Sequence, residues 1–156
     1  LTDEPIPDEL IAKIKKAGTF NQGFANVEYL ASCFLDMDWH TLTENKEMDC
    51  AAFEKASMEK IGLIPEIIPR WRSTYFEHIF ADGYSSGYYS YLWSEVLDAD
   101  AFQAFKETDL FDQETAMAFR KNILEKGGTE DPMILYLRFR GSEPKIEPFL
   151  KREGLK

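Results

Sequence analysis

Apolar side chains recur every three or four residues along most of the chain, a spacing typical of amphipathic helices. The longest run extends from Phe24 to Leu42, and we expect it to bury one stripe made of Val27, Leu30, Ala31, Phe34, Leu35 and Asp38. Alternation with a period of two, which marks a half-buried strand, is almost absent. The pattern therefore predicts an all-α, multi-helical fold of about six or seven helices.

Caps and breakers indicate where the shorter helices begin and end. Asp8 is expected to cap a first helix that ends at Gly18, and Asp49 is expected to cap another that passes through Met58. Further helices are predicted over residues 86–99, 112–123 and 132–139, followed after Gly141 by an irregular tail. Because no internal repeat or low-complexity linker interrupts the chain, we expect residues 1–156 to form a single helical domain.

Charge and composition argue against two classes of partner. The 156 residues carry a net charge of -10, which is unfavourable for binding the phosphates of nucleic acids. No apolar run approaches the roughly 18–20 residues that span a bilayer, so we expect no membrane segment. The spacing of Cys33 and Cys50 is not that of a metal site, and free thiols in a reducing compartment are expected, although a disulfide between them stays open.

The densest candidate chemistry lies in residues 78–91, which hold His78 and a group of tyrosines. Tyr84, Tyr88 and Tyr91 are spaced i, i+4 and i+7, so they would share one face of a helix. A tyrosine hydroxyl, with an ordinary pKa of about 10, stays protonated at neutral pH. It can donate a hydrogen bond to the oxyanion that forms when water attacks a peptide carbonyl. Packing in the core is the competing interpretation of this spacing.

The same segment contains Gly83 and Gly87, which are expected to adopt positive φ or to act as hinges. It is similar to the His–Gly-Tyr–Tyr-Tyr–Tyr segment of the thimet oligopeptidase, neurolysin and peptidyl-dipeptidase family of zinc peptidases. Residues 20–37 and 139–150 resemble two further segments of that family, in the same order along the chain. Residues 87–91 and 99–102 resemble the bacterial peptidyl-dipeptidase branch in particular.

The resemblance implies an enzyme that cleaves short peptides in a deep channel between two largely helical halves. It implies that Tyr91 donates to the oxyanion, that Tyr84 contacts the substrate or the tetrahedral intermediate, and that His78 assists at the same place. Tyr88 is expected to line the same substrate-binding pocket. Asp82 departs from the family pattern, since relatives usually carry a small residue there, and it adds a negative charge near the site.

The zinc site of such an enzyme is expected to lie outside this chain. It needs a helical His-Glu-x-x-His motif and a further glutamate, whereas the histidines here are only His40 and His78. His40 and Glu44 are too few for a metal site, and we expect His40 to cap or line the end of its helix. We therefore predict no metal ligands here, zinc ligands upstream in the full-length enzyme, and a fragment that is inactive without its missing N-terminal portion.

A non-catalytic helical module that binds a peptide or a partner protein through its aromatic face is the alternative function. The missing zinc motif favours this alternative, whereas a tyrosine array suited to a carbonyl under attack argues against it. A His-Glu-x-x-His motif encoded before Leu1 would decide for the enzyme. The predicted compartment is the cytoplasm, with the periplasm as the alternative.

Overall fold

The structure is a computed structural model that describes residues 5–156, and within that range every regular element is a helix. The α-helices are α1 (Asp8–Gly18), α2 (Gln22–His40), α3 (Cys50–Lys60), α4 (Glu77–Phe80), α5 (Ser90–Glu107), α6 (Gln113–Phe119), α7 (Pro132–Arg140) and α8 (Glu147–Arg152). A 3₁₀ turn (Ser73–Tyr75) precedes α4, and a π-helical segment (Arg120–Leu124) follows α6. The prediction of an all-α fold is confirmed.

The chain divides into two compact units, of which the first ends at Tyr91 and the second is Leu92–Lys156. Helix α2 is central to the first unit, because two core clusters form on it. One cluster joins α2 to α3 through Ala31, Leu35 and Met58. The other joins α2 to the segment around α4, through Cys33, Phe76, Ile79 and Tyr88. In the second unit, the start of α5 packs against α8 through Val96, Ala99 and Phe149.

Helix α2 buries a different face from the predicted stripe. Ala31 and Leu35 are fully buried as expected, but the other apolar members of the stripe are exposed: Val27, Leu30 and Phe34. The buried surface continues instead through Ser32 and Asp36. These polar side chains tolerate burial because distant backbone amides donate to them, so a pattern based on apolar residues alone could not find this face.

The capping prediction is confirmed at Asp49 and is wrong at Asp8, and Asp112 caps α6 in the same way as Asp49 caps α3. The Asp49 carboxylate accepts from the backbone amides of Ala51 and Ala52, and Asp112 accepts from that of Thr115. Asp8 is the first residue of α1, and Pro7 occupies the N-cap position without a side-chain hydrogen bond. The fixed φ of Pro7 suits the extended conformation before a helix, so α1 begins without a polar cap.

Three further boundaries differ from the predictions. Residues 85–89 form turns, so α5 begins at Ser90 and not at Ser86. The helix predicted over residues 112–123 changes from α-helix to π-helix after Phe119. The tail predicted to be irregular contains α8, whose start suits Pro148 and whose Phe149 is buried against α5. No helix within residues 5–156 is long and apolar enough to cross a bilayer.

Candidate functional site

The structure brings the four predicted site residues together in the first unit, and we call them the tyrosine cluster (His78, Tyr84, Tyr88 and Tyr91). The His78 and Tyr84 rings are nearly parallel, with centroids 5.0 Å apart and an interplanar angle of 9°. Tyr84 and Tyr91 also stack, with centroids 5.3 Å apart. Tyr88 presents its ring edge-on to Tyr91 at 5.6 Å. A partly exposed histidine and two tyrosine hydroxyls thus meet at one place.

The cluster is assembled by a loop and not by one helical face. His78 lies on α4, Tyr84 lies in the connection, and Tyr91 is the second residue of α5. The expected positive φ is found at Gly83, where φ is 81°. At Gly87 the constraint is space, because a Cβ there would lie 3.3 Å from the Tyr84 carbonyl oxygen. The tight turn that closes with Gly87 N–H donating to Tyr84 O (2.8 Å) requires this approach.

Tyr88 differs from the other members of the cluster because its side chain is in the core. Its residue exposure is 4%, and its hydroxyl accepts a hydrogen bond from the indole N–H of Trp71 at 2.8 Å. The Tyr29 hydroxyl donates to the Tyr88 carbonyl oxygen at 2.8 Å, and the two rings stack. Burial raises the pKa of Tyr88 above its ordinary value. The predicted role of Tyr88 in lining a substrate pocket stays a prediction, and its contacts here are those of a packed residue.

His78 forms a bridge between Asp82 and Tyr91. Its Nδ1 lies 3.2 Å from Asp82 Oδ2, and its Nε2 lies 3.2 Å from the Tyr91 hydroxyl. An ionised carboxylate only accepts hydrogen bonds, so Nδ1 carries a proton in this arrangement. Nε2 of neutral His78 then accepts from Tyr91, whereas Nε2 of the imidazolium donates to it. The protonation of His78 therefore decides whether His78 Nε2 competes as an acceptor for the Tyr91 proton.

The Tyr91 hydroxyl is a donor throughout the neutral pH range. Hydrogen bonding to the Tyr84 hydroxyl is the larger cause, and desolvation the next, of the rise in the pKa of Tyr91 to about 12. The side chain is nevertheless 38% exposed, so a ligand can reach it. A protonated, accessible hydroxyl held between two aromatic neighbours is suited to donating a hydrogen bond to an anionic oxygen.

Sequence reasoning missed Asp36, the residue of α2 that holds the loop of the cluster. Asp36 is 1% exposed, and it accepts hydrogen bonds from the backbone amides of Ser86 (2.9 Å) and Tyr88 (3.0 Å). Ser32, Asp36 and His40 are spaced i, i+4 and i+8, so they share one face of α2. A row of polar residues at helical spacing was the signal that could have found them, because it contradicts a simple apolar stripe.

The prediction that His40 lines the end of its helix is confirmed. Its Nδ1 lies 2.9 Å from the Asp36 carbonyl oxygen and 2.7 Å from Asp36 Oδ1. Both atoms are acceptors, so Nδ1 carries the proton that they share.

Within residues 5–156, no group of three or more His, Cys, Asp or Glu side chains could hold a metal ion. A catalytic zinc ion needs about three protein ligands, so the described residues do not fit one. Cys33 is buried and Cys50 is exposed, and both are free thiols in this structure. The chemistry that the cluster itself offers is hydrogen bonding and ring stacking.

Comparisons with known proteins identify the family of the chain. A model described as Peptidase family M3 matches residues 1–155. Dipeptidyl carboxypeptidase of Escherichia coli strain K12 is 43% identical over 152 residues, which are 96% of this chain and 22% of that protein. Oligopeptidase A of the same strain is 39% identical over 158 residues, which are 99% of this chain and 23% of that protein.

A yeast protein extends the comparison to a more distant relative. Saccharolysin of Saccharomyces cerevisiae is 30% identical over 156 residues, which are 99% of this chain and 22% of that protein. The chain thus spans less than a quarter of the length of these curated relatives. Because the family model matches nearly the whole sequence, the chain belongs to peptidase family M3.

Proposed function

We propose that this chain is part of a zinc-dependent oligopeptidase or peptidyl-dipeptidase that hydrolyses peptide bonds of short peptides. Two relatives carry the names dipeptidyl carboxypeptidase and oligopeptidase A, which supports a peptidase and leaves both subtypes open. The observation that carries the proposal is the Tyr91 hydroxyl, which is protonated, accessible and flanked by His78 and Tyr84. In this proposal, the tyrosine cluster binds the scissile carbonyl and its oxyanion.

Three members of the cluster, Tyr91, Tyr84 and His78, have separate tasks in this proposal. Tyr91 donates to the oxyanion as negative charge develops on the carbonyl oxygen, a contribution of about 2.7–4 kcal/mol for one such donor in known enzymes. Tyr84 stacks between His78 and Tyr91 and supplies a second hydroxyl to the substrate or the intermediate. His78, held by Asp82, orients the Tyr91 hydroxyl and frees its proton when the imidazole is protonated.

The zinc ion that such an enzyme uses requires ligands from outside these 156 residues. When bound it would polarise the carbonyl and activate water, and no step of that chemistry is assigned to this chain. We propose that the partner of this segment is the remaining part of the same protein, and that the segment alone is inactive. Stoichiometric zinc in the purified 156-residue chain, together with chelator-sensitive peptidase activity, would contradict this.

The cytoplasm is the compartment we propose. Two free thiols, one of them exposed, are typical of proteins kept in a reducing environment. One relative is named as a probable cytosolic oligopeptidase A, although another bears a chloroplastic and mitochondrial name. Oxidation of Cys50 in the protein isolated from its native cells would argue for the periplasm.

The test of the proposed function is Tyr91→Phe in the full-length protein, assayed on a short fluorogenic peptide with zinc content measured in parallel. We expect kcat to fall about 10²-fold or more with KM nearly unchanged, because the donor acts mainly in the transition state. Tyr89→Phe is the matched control, since Tyr89 is 53% exposed and lies outside the cluster. Unchanged turnover in Tyr91→Phe would refute the donor role, whereas a full-length wild type without peptidase activity would favour the non-catalytic binding module.

A further inference from the structure

The buried carboxylate of Asp36 has contacts that the proposed chemistry does not use. Its two oxygens are divided between three donors on two different parts of the chain. Oδ1 accepts from the Ser86 amide at 2.9 Å and lies 2.7 Å from His40 Nδ1, while Oδ2 accepts from the Tyr88 amide at 3.0 Å. Both amides belong to the connection between Tyr84 and Tyr91, so this one side chain joins the loop to α2.

A carboxylate that is 1% exposed needs these donors to remain in place. Removing a negative charge from water is costly unless hydrogen bonds replace its hydration. Two of the three donors are backbone amides of a loop that has no helix ladder of its own, because residues 85–89 are turns. The carboxylate and the loop conformation therefore stabilise each other, and neither is expected to persist unchanged without the other.

The hydrogen bond from Ser86 to Asp36 lies at a residue with an unfavourable backbone conformation. Ser86 has φ of 56°, a left-handed conformation that residues other than glycine adopt at a cost. Its amide is the one that donates to Asp36 Oδ1. Ser86 is the third residue of the turn that closes when Gly87 N–H donates to Tyr84 O at 2.8 Å, so its conformation and the position of the Tyr84 carbonyl are linked. The contact on Ser86 thus offsets a strained residue that lies between two members of the cluster.

We propose that Asp36 is a positioning residue, which anchors residues 84–89 to α2 and thereby sets the positions of Tyr84 and Tyr91 relative to His78. His40 restricts the carboxylate to this orientation, because its Nδ1–H is shared between Oδ1 and the Asp36 carbonyl oxygen. The effect on turnover rests on the function proposed above, whereas the anchoring of the loop does not depend on it.

The experiment is hydrogen exchange by mass spectrometry on the full-length protein and its Asp36→Asn variant, combined with steady-state kinetics. Asparagine has the same shape but presents an NH₂ group to one of the donors, so at least one loop amide loses its acceptor. We expect amides in peptides covering residues 84–90 to exchange about tenfold faster or more. If the proposed function is right, kcat falls about tenfold or more while KM changes less.

Asp38→Asn is the matched control on the same helix. Asp38 binds Ser57 Oγ at 2.7 Å and Lys60 Nζ at 2.8 Å, and both partners lie on α3 and away from the loop. Exchange over residues 84–90 should stay as in the wild type in this variant. Asp36→Glu, which keeps the charge on a longer side chain, should restore part of the protection that Asp36→Asn loses.

The outcomes separate the anchor from the proposed chemistry. Wild-type exchange over residues 84–90 in a folded Asp36→Asn protein would overturn the anchor. Faster exchange with unchanged kcat would support the anchor and refute the donor role of the cluster. If Asp36→Asn does not fold, His40→Ala provides the milder test, because it removes one donor and leaves the carboxylate. Exchange over the loop should then rise several-fold, and a rate equal to the wild type would overturn the proposal.

Discussion

Replacement of Tyr88 by phenylalanine separates packing from chemistry within the tyrosine cluster. The substitution removes only the hydroxyl that accepts from Trp71 Nε1 at 2.8 Å, and it leaves the ring that packs on Phe76 and Tyr29. A donor left without its partner in a largely buried place costs about 1–3 kcal/mol of stability. For a chain of about this size, each kcal/mol lowers the melting temperature by about 2–4 °C, so we expect a decrease of roughly 2–12 °C.

The assay is thermal unfolding of the 156-residue chain followed by circular dichroism, with Tyr91→Phe and Tyr89→Phe measured beside it. Tyr91 and Tyr89 are 38% and 53% exposed, so each of these controls should change the free energy of unfolding by less than about 0.5 kcal/mol. In the full-length protein, Tyr91→Phe should lower kcat much more than Tyr88→Phe does, and Tyr89→Phe should have little effect on kcat. A Tyr88→Phe protein as stable as the wild type, or one that loses turnover as strongly as Tyr91→Phe, would refute the assignment of Tyr88 to the core.

Three further predictions concern two buried groups, the Cys33 thiol and the Tyr136 hydroxyl. Burial raises the pKa of Cys33 to about 12. Iodoacetamide at pH 8–9 should therefore label the exposed Cys50 and spare Cys33 until denaturant is added. Rapid labelling of native Cys33 would contradict this. In the unfolded chain, Cys33 loses its proton near its ordinary pKa of 9.0. The buried thiol therefore contributes stability that is complete below pH 9 and is lost between pH 9 and about 12. In urea titrations, Cys33→Ala should flatten this alkaline loss of stability. The Tyr136 hydroxyl donates to the buried Asp100 carboxylate at 2.6 Å. Tyr136→Phe should therefore lower the free energy of unfolding by about 1.5–3 kcal/mol. A loss under about 0.5 kcal/mol would count against a charge-assisted hydrogen bond.

Local signals in the sequence were sufficient for the parts of the fold that depend on neighbours along the chain. Asp49 and Asp112 cap their helices because a short carboxylate reaches the free amides of its own first turn. Gly141 ends α7 with φ of 76°, a conformation that glycine adopts without strain. Helix α8 was not predicted, because its stability depends on a contact that is distant in sequence. It buries the Phe149 ring against α5.

The predicted members of the candidate site lie together in the structure, but their geometry differs from the prediction. Spacing of i, i+4 and i+7 placed Tyr84, Tyr88 and Tyr91 on one helical face, whereas two of them precede the helix. They still converge, because the Gly83 and Gly87 turns return the chain on itself. The consequence is that Tyr88 turns into the core while its two partners stay accessible, a distinction that helical spacing alone cannot make.

Asp36 shows why the support of a site is harder to predict than the site itself. In sequence it is a carboxylate on an amphipathic helix, where the simplest expectation is a solvated face. Its partners, the amides of Ser86 and Tyr88, have no side-chain signature and lie fifty or more positions further along the chain. Only the i, i+4, i+8 row of Ser32, Asp36 and His40 indicates that this face is buried, and each of these three side chains bonds to an atom of the backbone. A polar row that interrupts an apolar stripe is therefore a sign that a helix holds a loop, and the loop it holds is where functional residues should be sought.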